Sequence, residues 1–191
     1  MDLRTFLLQS DALGDVAIAD RFAASWTTTR LGNGGHITRQ EDPATDEYIL
    51  LDGCLVSRIC DPDGKEVCVG FYVGPTVVTP NIARTRNGMS LVSISATSEA
   101  VIAQINSDRL TELMISSEPI RNWANGVLRA ALSQKADREW CLAALGGADR
   151  LHWFRETYPG FENTFTHTLI ASFLGMTPVT FSRLRSDDKR P

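Results

Sequence analysis

Residues 169–191 read LIASFLGMTPVTFSRLRSDDKRP, and the spacing of the apolar side chains in this stretch decides how the rest of the chain is read. Ile170, Ala171 and Leu174 share one side of a short helix; Phe181 and Leu184 share one side of a second. Between them stands GMTP. Gly175 supplies a left-handed stop for the first helix, Thr177 is a cap for the second, and Pro178 suits its first turn. Ala171, four residues before the glycine, is small enough to let a second helix cross closely. The pattern is that of a helix-turn-helix. An ordinary αα-corner shares the glycine and the apolar spacing. What separates the two is the outward face of the second helix, where Thr177, Thr180, Ser182, Arg183 and Ser186 are all polar.

Charge follows the same division. The 191-residue chain carries a net charge of −4, yet residues 163–191 carry +2, with Arg183, Arg185, Lys189 and Arg190 set against Asp187 and Asp188. The preceding residues therefore carry −6. A mildly basic tip on an acidic body is a weak footprint for a polyanion. No run approaches 18 apolar residues, and MDLRTFLLQSD lacks the basic-then-apolar order of a secretory leader, so no membrane span and a cytoplasmic location are expected. Cys54, Cys60, Cys68 and Cys141 match no paired-cysteine spacing and read as buried thiols.

Upstream, three regions separate by pattern. Residues 2–26 have helical spacing interrupted at Gly14-Asp15, which predicts two short helices. From about residue 27 to 114 the chain reads as short strands, with hairpin signals at Asp52-Gly53 and Asp61-Pro62-Asp63-Gly64. Strands at this spacing point to a sandwich or rolled barrel rather than a βαβ sheet. Ser107 or Asp108 is expected to cap the helix that follows. Ile120, Trp123, Ala124, Val127, Leu128 and Ala131 then recur with helical period, predicting one helix of about 40 Å from Pro119 to about Leu145. Gly146-Gly147 ends it, and a further helix runs to Pro159-Gly160. The fold class expected is α+β, in three parts: residues 1–117, a β-roll with N-terminal helices; 118–147, a long helix; and 148–191, the helix-turn-helix.

The terminal string resembles the DNA-binding end of Crp/Fnr-type transcription regulators, which follow IA-x-x-LG-x-T-x-x-x-x-SR. Gly35, EYILLDG, Val56, DPDGKE, Gly70 and Gly74 stand where that family's cyclic-nucleotide-binding-like, jelly-roll-like β-roll places its turns and strands. The resemblance runs in family order over nearly the whole chain, and is nearest to members lacking a β-wing after the second helix. It implies a transcription regulator rather than an enzyme, with double-stranded DNA, a second copy of the chain and RNA polymerase as partners, and a small-molecule effector the sequence does not identify. DNA would be contacted by Thr177, Pro178, Val179, Thr180, Ser182, Arg183, Arg185 and Ser186. Of these, Arg183 is expected to read or orient on a base edge, and Arg185 to meet phosphate or the adjacent protein surface. The homodimer would form through Ile120, Trp123, Ala124, Val127 and Ala131.

Two departures stand out. Where better-known members begin the second helix with an Arg-Glu pair that reads bases, this chain has Pro178 and Val179, so no operator carries over. The family's phosphate cassette, a Gly-Glu pair followed by Arg-Ser/Thr, is replaced: Gly74 precedes Pro75-Thr76, and the arginine position falls near Ser90, followed by Leu91. Gly74, Thr76, Arg84 and Arg86 are the candidate effector residues, with cyclic AMP not expected in the usual mode. No cofactor or metal is expected, because only His36 of the three histidines lies in the β region and no cysteine precedes Cys54. LGNGGH precedes a strand and is a turn, not a phosphate-binding loop. A second reading stays open: a β-roll ligand-binding or interaction protein whose helical end binds no DNA.

Overall fold

The N-terminal spacing resolves into α1 (Leu3–Leu8) and α2 (Val16–Ala23), with a 3-10 turn at Asp11–Leu13 between them. The architecture comes from a computed structural model that describes residues 1–187; Asp188, Lys189 and Arg190 of the basic tip lie outside the described residues. Each of the two helices starts on an aspartate. Asp2 Oδ1 accepts from Thr5 N at 2.8 Å, and Asp15 Oδ1 accepts from Ala17 N at 2.8 Å. These bonds satisfy donors that a first helical turn leaves open.

The strands follow: β1 (Thr27–Leu31), β2 (His36–Thr38), β3 (Asp46–Asp52), β4 (Cys54–Cys60), β5 (Glu66–Val73), β6 (Thr76–Val77), β7 (Thr85–Arg86), β8 (Met89–Ser90), β9 (Ser93–Ala96) and β10 (Ala100–Asn106). A 3-10 turn, Asn81–Ala83, precedes β7. Two four-stranded sheets form, in the orders β1-β10-β3-β6 and β2-β9-β4-β5, with β7-β8 as a separate pair. The registers of β1 and β3 on β10, and of β2 and β4 on β9, are antiparallel. Tyr48, Ile49, Leu50 and Leu51 are buried in succession along β3, the mark of a strand covered on both faces. Its turn into β4 needs glycine. Gly53 has φ +91°, and a Cβ there would stand 2.2 Å from the Glu99 carbonyl oxygen. At the next hairpin Asp61 Oδ1 accepts from Asp63 N at 3.0 Å and Lys65 N at 2.8 Å, fixing the turn read from Asp-Pro-Asp-Gly.

The helices after the strands are α3 (Ser107–Ser116), α4 (Glu118–Ala144), α5 (Gly147–Thr157), α6 (Phe161–Thr164), α7 (His167–Phe173) and α8 (Pro178–Asp187). The cap of α3 is neither Ser107 nor Asp108. Asn106 Oδ1 accepts from Asp108 N at 2.9 Å and Arg109 N at 3.3 Å, because β10 runs straight into the helix and its last residue takes the capping position. Among the described residues no helix is long and apolar enough to cross a membrane. Cys68 and Cys141 are buried as expected, but Cys54 is half-buried and Cys60 exposed, each near the end of a strand where the sheet face meets solvent.

The three parts expected from the sequence pack as two units. One comprises Met1–Ile59 and Phe71–Leu132; the other comprises Cys60–Gly70 together with the chain from Ser133 onward. The division falls inside α4 because the first half of that helix is consumed by the core of the first unit. There Phe22, Trp26 and Trp123 meet edge to face at 5.2–6.4 Å between ring centroids, with Leu7, Leu13, Ile49, Ile105 and Ile120 around them. The second unit is built on Phe154, Phe173 and Phe181, all buried. The tip of the β4-β5 hairpin belongs to it: Ser172 Oγ accepts from Cys68 N at 3.0 Å.

Candidate nucleic-acid interface

The turn between α7 and α8 closes with two backbone bonds, Met176 N to Ala171 O at 3.0 Å and Gly175 N to Ser172 O at 3.1 Å. This is the paired ending that a left-handed glycine permits, and Gly175 has φ +65°. Thr177 Oγ1 then accepts from Thr180 N at 3.1 Å and shares a 2.9 Å hydrogen bond with Thr180 Oγ1. Stop, cap and first turn are therefore each made by the residue the sequence pointed to. Ile170, Ala171, Leu174 and Phe181 are fully buried, and the His167 ring lies 5.5 Å from that of Phe181.

Packing one side of α8 leaves the other to solvent. Val179, Ser182, Arg183 and Ser186 are exposed at i, i+3, i+4 and i+7, with Thr177 and Pro178 exposed at the start. No carboxylate stands between Thr177 and Ser186. Thr180 is half-buried, its hydroxyl engaged by Thr177, and the Ser186 hydroxyl donates back to Ser182 O at 3.0 Å. Arg185 turns away from this face. Its Nε lies 2.9 Å from Glu162 Oε1, and its NH1 is 3.2 Å from His167 Nδ1. Of the two roles expected for Arg185, contact with adjacent protein is the one its position provides. The other carboxylate oxygen of Glu162 takes Arg155 Nε at 2.6 Å.

Two residues the sequence did not single out fix the helix pair in place. Arg150, on α5, donates through Nε to Leu145 O (2.9 Å), through NH2 to Leu142 O (2.9 Å) and through NH1 to Leu174 O (3.1 Å). One guanidinium thus gathers carbonyls from the ends of α4 and α7, which lack intrahelical donors. Arg138, on α4, donates NH2 to Phe173 O at 2.9 Å and stacks its guanidinium over the Phe173 ring at 4.5 Å. Partners 24 and 35 residues away leave no periodic signal, so neither role was legible in the sequence.

The stripe expected to form a dimer is largely used within its own chain. Ile120 and Trp123 are buried in the core of the first unit, and Ala124 and Val127 pack partly buried against it. Ala131 is half-buried. The apolar side chains that α4 leaves to solvent are others, Leu132 at 55% and Trp140 at 58% exposure, with the exposed Ala136 midway between them. The N-terminal helices account for the difference: their apolar faces need a partner, and the first turns of α4 supply it.

The candidate effector residues do not assemble into an anion site. A Cβ on Gly74 would lie 2.8 Å from Asp52 N, Gly74-Pro75 is a cis peptide bond, and Thr76 pairs in register with Leu50. Arg86 is exposed. Arg84 is 2% exposed, donating to the carbonyls of Thr79 and Asp46, with its guanidinium 5.1 Å from the Tyr48 ring centre; its NH1 is buried without a hydrogen-bond partner. Ser90 is buried, its hydroxyl donating to Val92 O at 2.7 Å. A cavity of about 270 Å³ in the first unit is lined instead by the Asn81 turn, α3 and α4, with Trp26, Leu110, Met114 and Trp123 on its walls. None of the four candidates lines it. Glu47 does, and burial pushes its carboxyl above the usual carboxylate range, against the opposing effects of the Asn81 N–H and the Arg84 charge.

No protein-family model matches the chain, and no curated protein matches it in sequence. Solved structures do. CLP of Xanthomonas campestris, a c-di-GMP responsive global regulator, is similar at TM-score 0.71 and 17% identity, over 92% of both chains. FixK2 from Bradyrhizobium japonicum is similar at 0.70 and 16%, over 85% of this chain and 83% of that one. A protein from Eubacterium rectale described as a transcriptional regulator of the Crp/Fnr family is similar at 0.69 and 17%, over 91% and 82%. The chain has the fold of these regulators: β-roll, long helix and helix-turn-helix in one order.

Proposed function

We propose that this chain is a Crp/Fnr-type, DNA-binding transcription regulator that acts as a homodimer and enters the major groove with α8. The observation that carries the reading is the exposed stripe Val179, Ser182, Arg183 and Ser186, held on a helix whose stop, cap and packing are complete without it. A helix buried as ordinary structure would leave a mixed or acidic outer face as readily as this one. The fold shared with CLP and FixK2 supports the same reading. Dimerisation is assigned to the α4 face bearing Leu132, Ala136 and Trp140, the part of the long helix its own chain does not cover. A two-fold pair would set two copies of α8 about 34 Å apart on successive major grooves. Selection from a random-sequence duplex library by the full chain, followed by fluorescence anisotropy at two salt concentrations, tests this. A two-fold-symmetric site bound at least about a thousandfold more tightly than bulk DNA is expected. Uniform weak binding, or none at low salt, would leave the ligand-binding reading in its place.

A further inference from the structure

We infer that Val179 reads the 5-methyl group of a thymine, in a half-site where Arg183 reads a guanine one or two base pairs away. This rests on the DNA-binding reading above and adds to it the base that the first turn of α8 selects.

Val179 is 79% exposed, more than any other large hydrophobic side chain among the described residues. A single exposed apolar residue is ordinary on a protein surface. This one stands one helical turn from Arg183, the charged member of the outward stripe, at the end of the helix whose residues meet base edges in a helix-turn-helix. The polar groups beside it are largely engaged. The hydroxyls of Thr177 and Thr180 are bonded to each other at 2.9 Å, and Pro178 has no N–H. A β-branched side chain holds one strongly preferred rotamer in a helix, so the two methyls of Val179 are presented in a fixed direction.

The chemistry of the groove then selects the base. All four bases present hydrogen-bonding groups in the major groove, but only thymine adds a methyl group, at C5, that an apolar side chain can meet. A carboxylate in this position would accept from the cytosine amino group; valine cannot. Four residues of helix rise about 6 Å, and base pairs along the duplex are about 3.4 Å apart. Thymine and guanine contacts from Val179 and Arg183 are therefore separated by one or two steps.

The test uses the full chain and the best duplex from the selection described above. Each thymine is replaced singly by uracil, which removes only the methyl group and leaves pairing and groove hydrogen bonds intact, and affinity is measured for the wild type and for Val179→Ala. One thymine per half-site is expected to lose about fourfold in affinity on replacement, the equivalent of one buried methyl group. Val179→Ala, at an exposed site, should fold as the wild type does by circular dichroism and should show no penalty for uracil at that position. Selective binding in which every uracil is tolerated, or in which Val179→Ala keeps the same penalty, overturns this assignment while the DNA-binding reading stands. Absence of any selected site overturns both.

Discussion

At the scale of single residues, the two arginines of α8 have different surroundings although they lie two positions apart. Arg183 projects from the exposed stripe, while Arg185 is held by Glu162 and His167. Arg183→Ala should flatten sequence preference, with about 1–3 kcal/mol lost on the preferred site and little on random DNA. Arg185→Ala should act on the fold, lowering stability by about 1 kcal/mol, since the pair it breaks is partly exposed; parallel anisotropy and urea titrations separate the two. Glu47 supplies a pH signature in the other unit. Burial raises its carboxyl in the folded chain, so the folded state binds the proton more tightly than the unfolded one. The stability this contributes is complete below the unfolded value and is lost as pH rises through the folded one. Glu47→Gln should therefore remove a decline in urea midpoint just above the ordinary carboxylate range. Identical pH profiles for the two proteins would show that Glu47 is not so burdened.

At the scale of elements, the helix-turn-helix is locked from behind by Arg150. Its three bonds reach the ends of α4 and α7, and bonds from a charged donor contribute about 1.5–3 kcal/mol each at most, less where, as here, they are only part-buried. Arg150→Met keeps much of the aliphatic volume and leaves those carbonyls unpaired. It should cost about 2–4 kcal/mol overall, and speed amide exchange in the turn around Gly175 more than in the β-roll. Lysine should rescue only in part, because an ammonium cannot present three donors in a planar fork. Equal exchange in the turn for wild type and Arg150→Met would deny it this role.

At the scale of the whole molecule, α4 has different surroundings at different points along its length. Its first turns complete the core of the first unit through Ile120 and Trp123, whereas Leu132 and Trp140 have solvent-exposed apolar surface. Leu132→Glu with Trp140→Glu should yield a folded monomer in light scattering, with DNA binding weakened. Val127→Glu should instead unfold the chain, because it buries a charge against the core. A dimer that survives the double substitution would place the interface elsewhere. The effector question belongs to this scale too. With Ser90 where the phosphate cassette has its arginine, Arg84 bonded to backbone carbonyls, and Glu47 on the wall of the cavity, the candidate effector residues do not come together as a cation and donor set for a cyclic phosphate. Calorimetric titration should give no cyclic AMP or cyclic GMP binding tighter than about 100 µM.

The sequence by itself determined the order of elements and the local chemistry of the terminal motif. Gly175, Thr177, Pro178 and the buried Ile170, Ala171 and Phe181 are all local signals: a left-handed φ, a hydroxyl three residues before an amide, a 3.6-residue period. Asp-Pro-Asp-Gly and Asp52-Gly53 fixed their turns for the same reason. Periodicity reports that a face is apolar but not what covers it, so the stripe from Ile120 to Val127 read as an interface although Phe22 and Trp26 occupy it. Long-range hydrogen bonding left no trace either. Nothing in the sequence marks Arg138 or Arg150, or assigns Arg84 to backbone carbonyls, and only tertiary structure, by bringing carbonyls 24 to 38 residues away to each guanidinium, makes them internal fasteners. The same packing decided which side of α8 faces outward, and so set Val179 and Arg183 together while turning Arg185 inward.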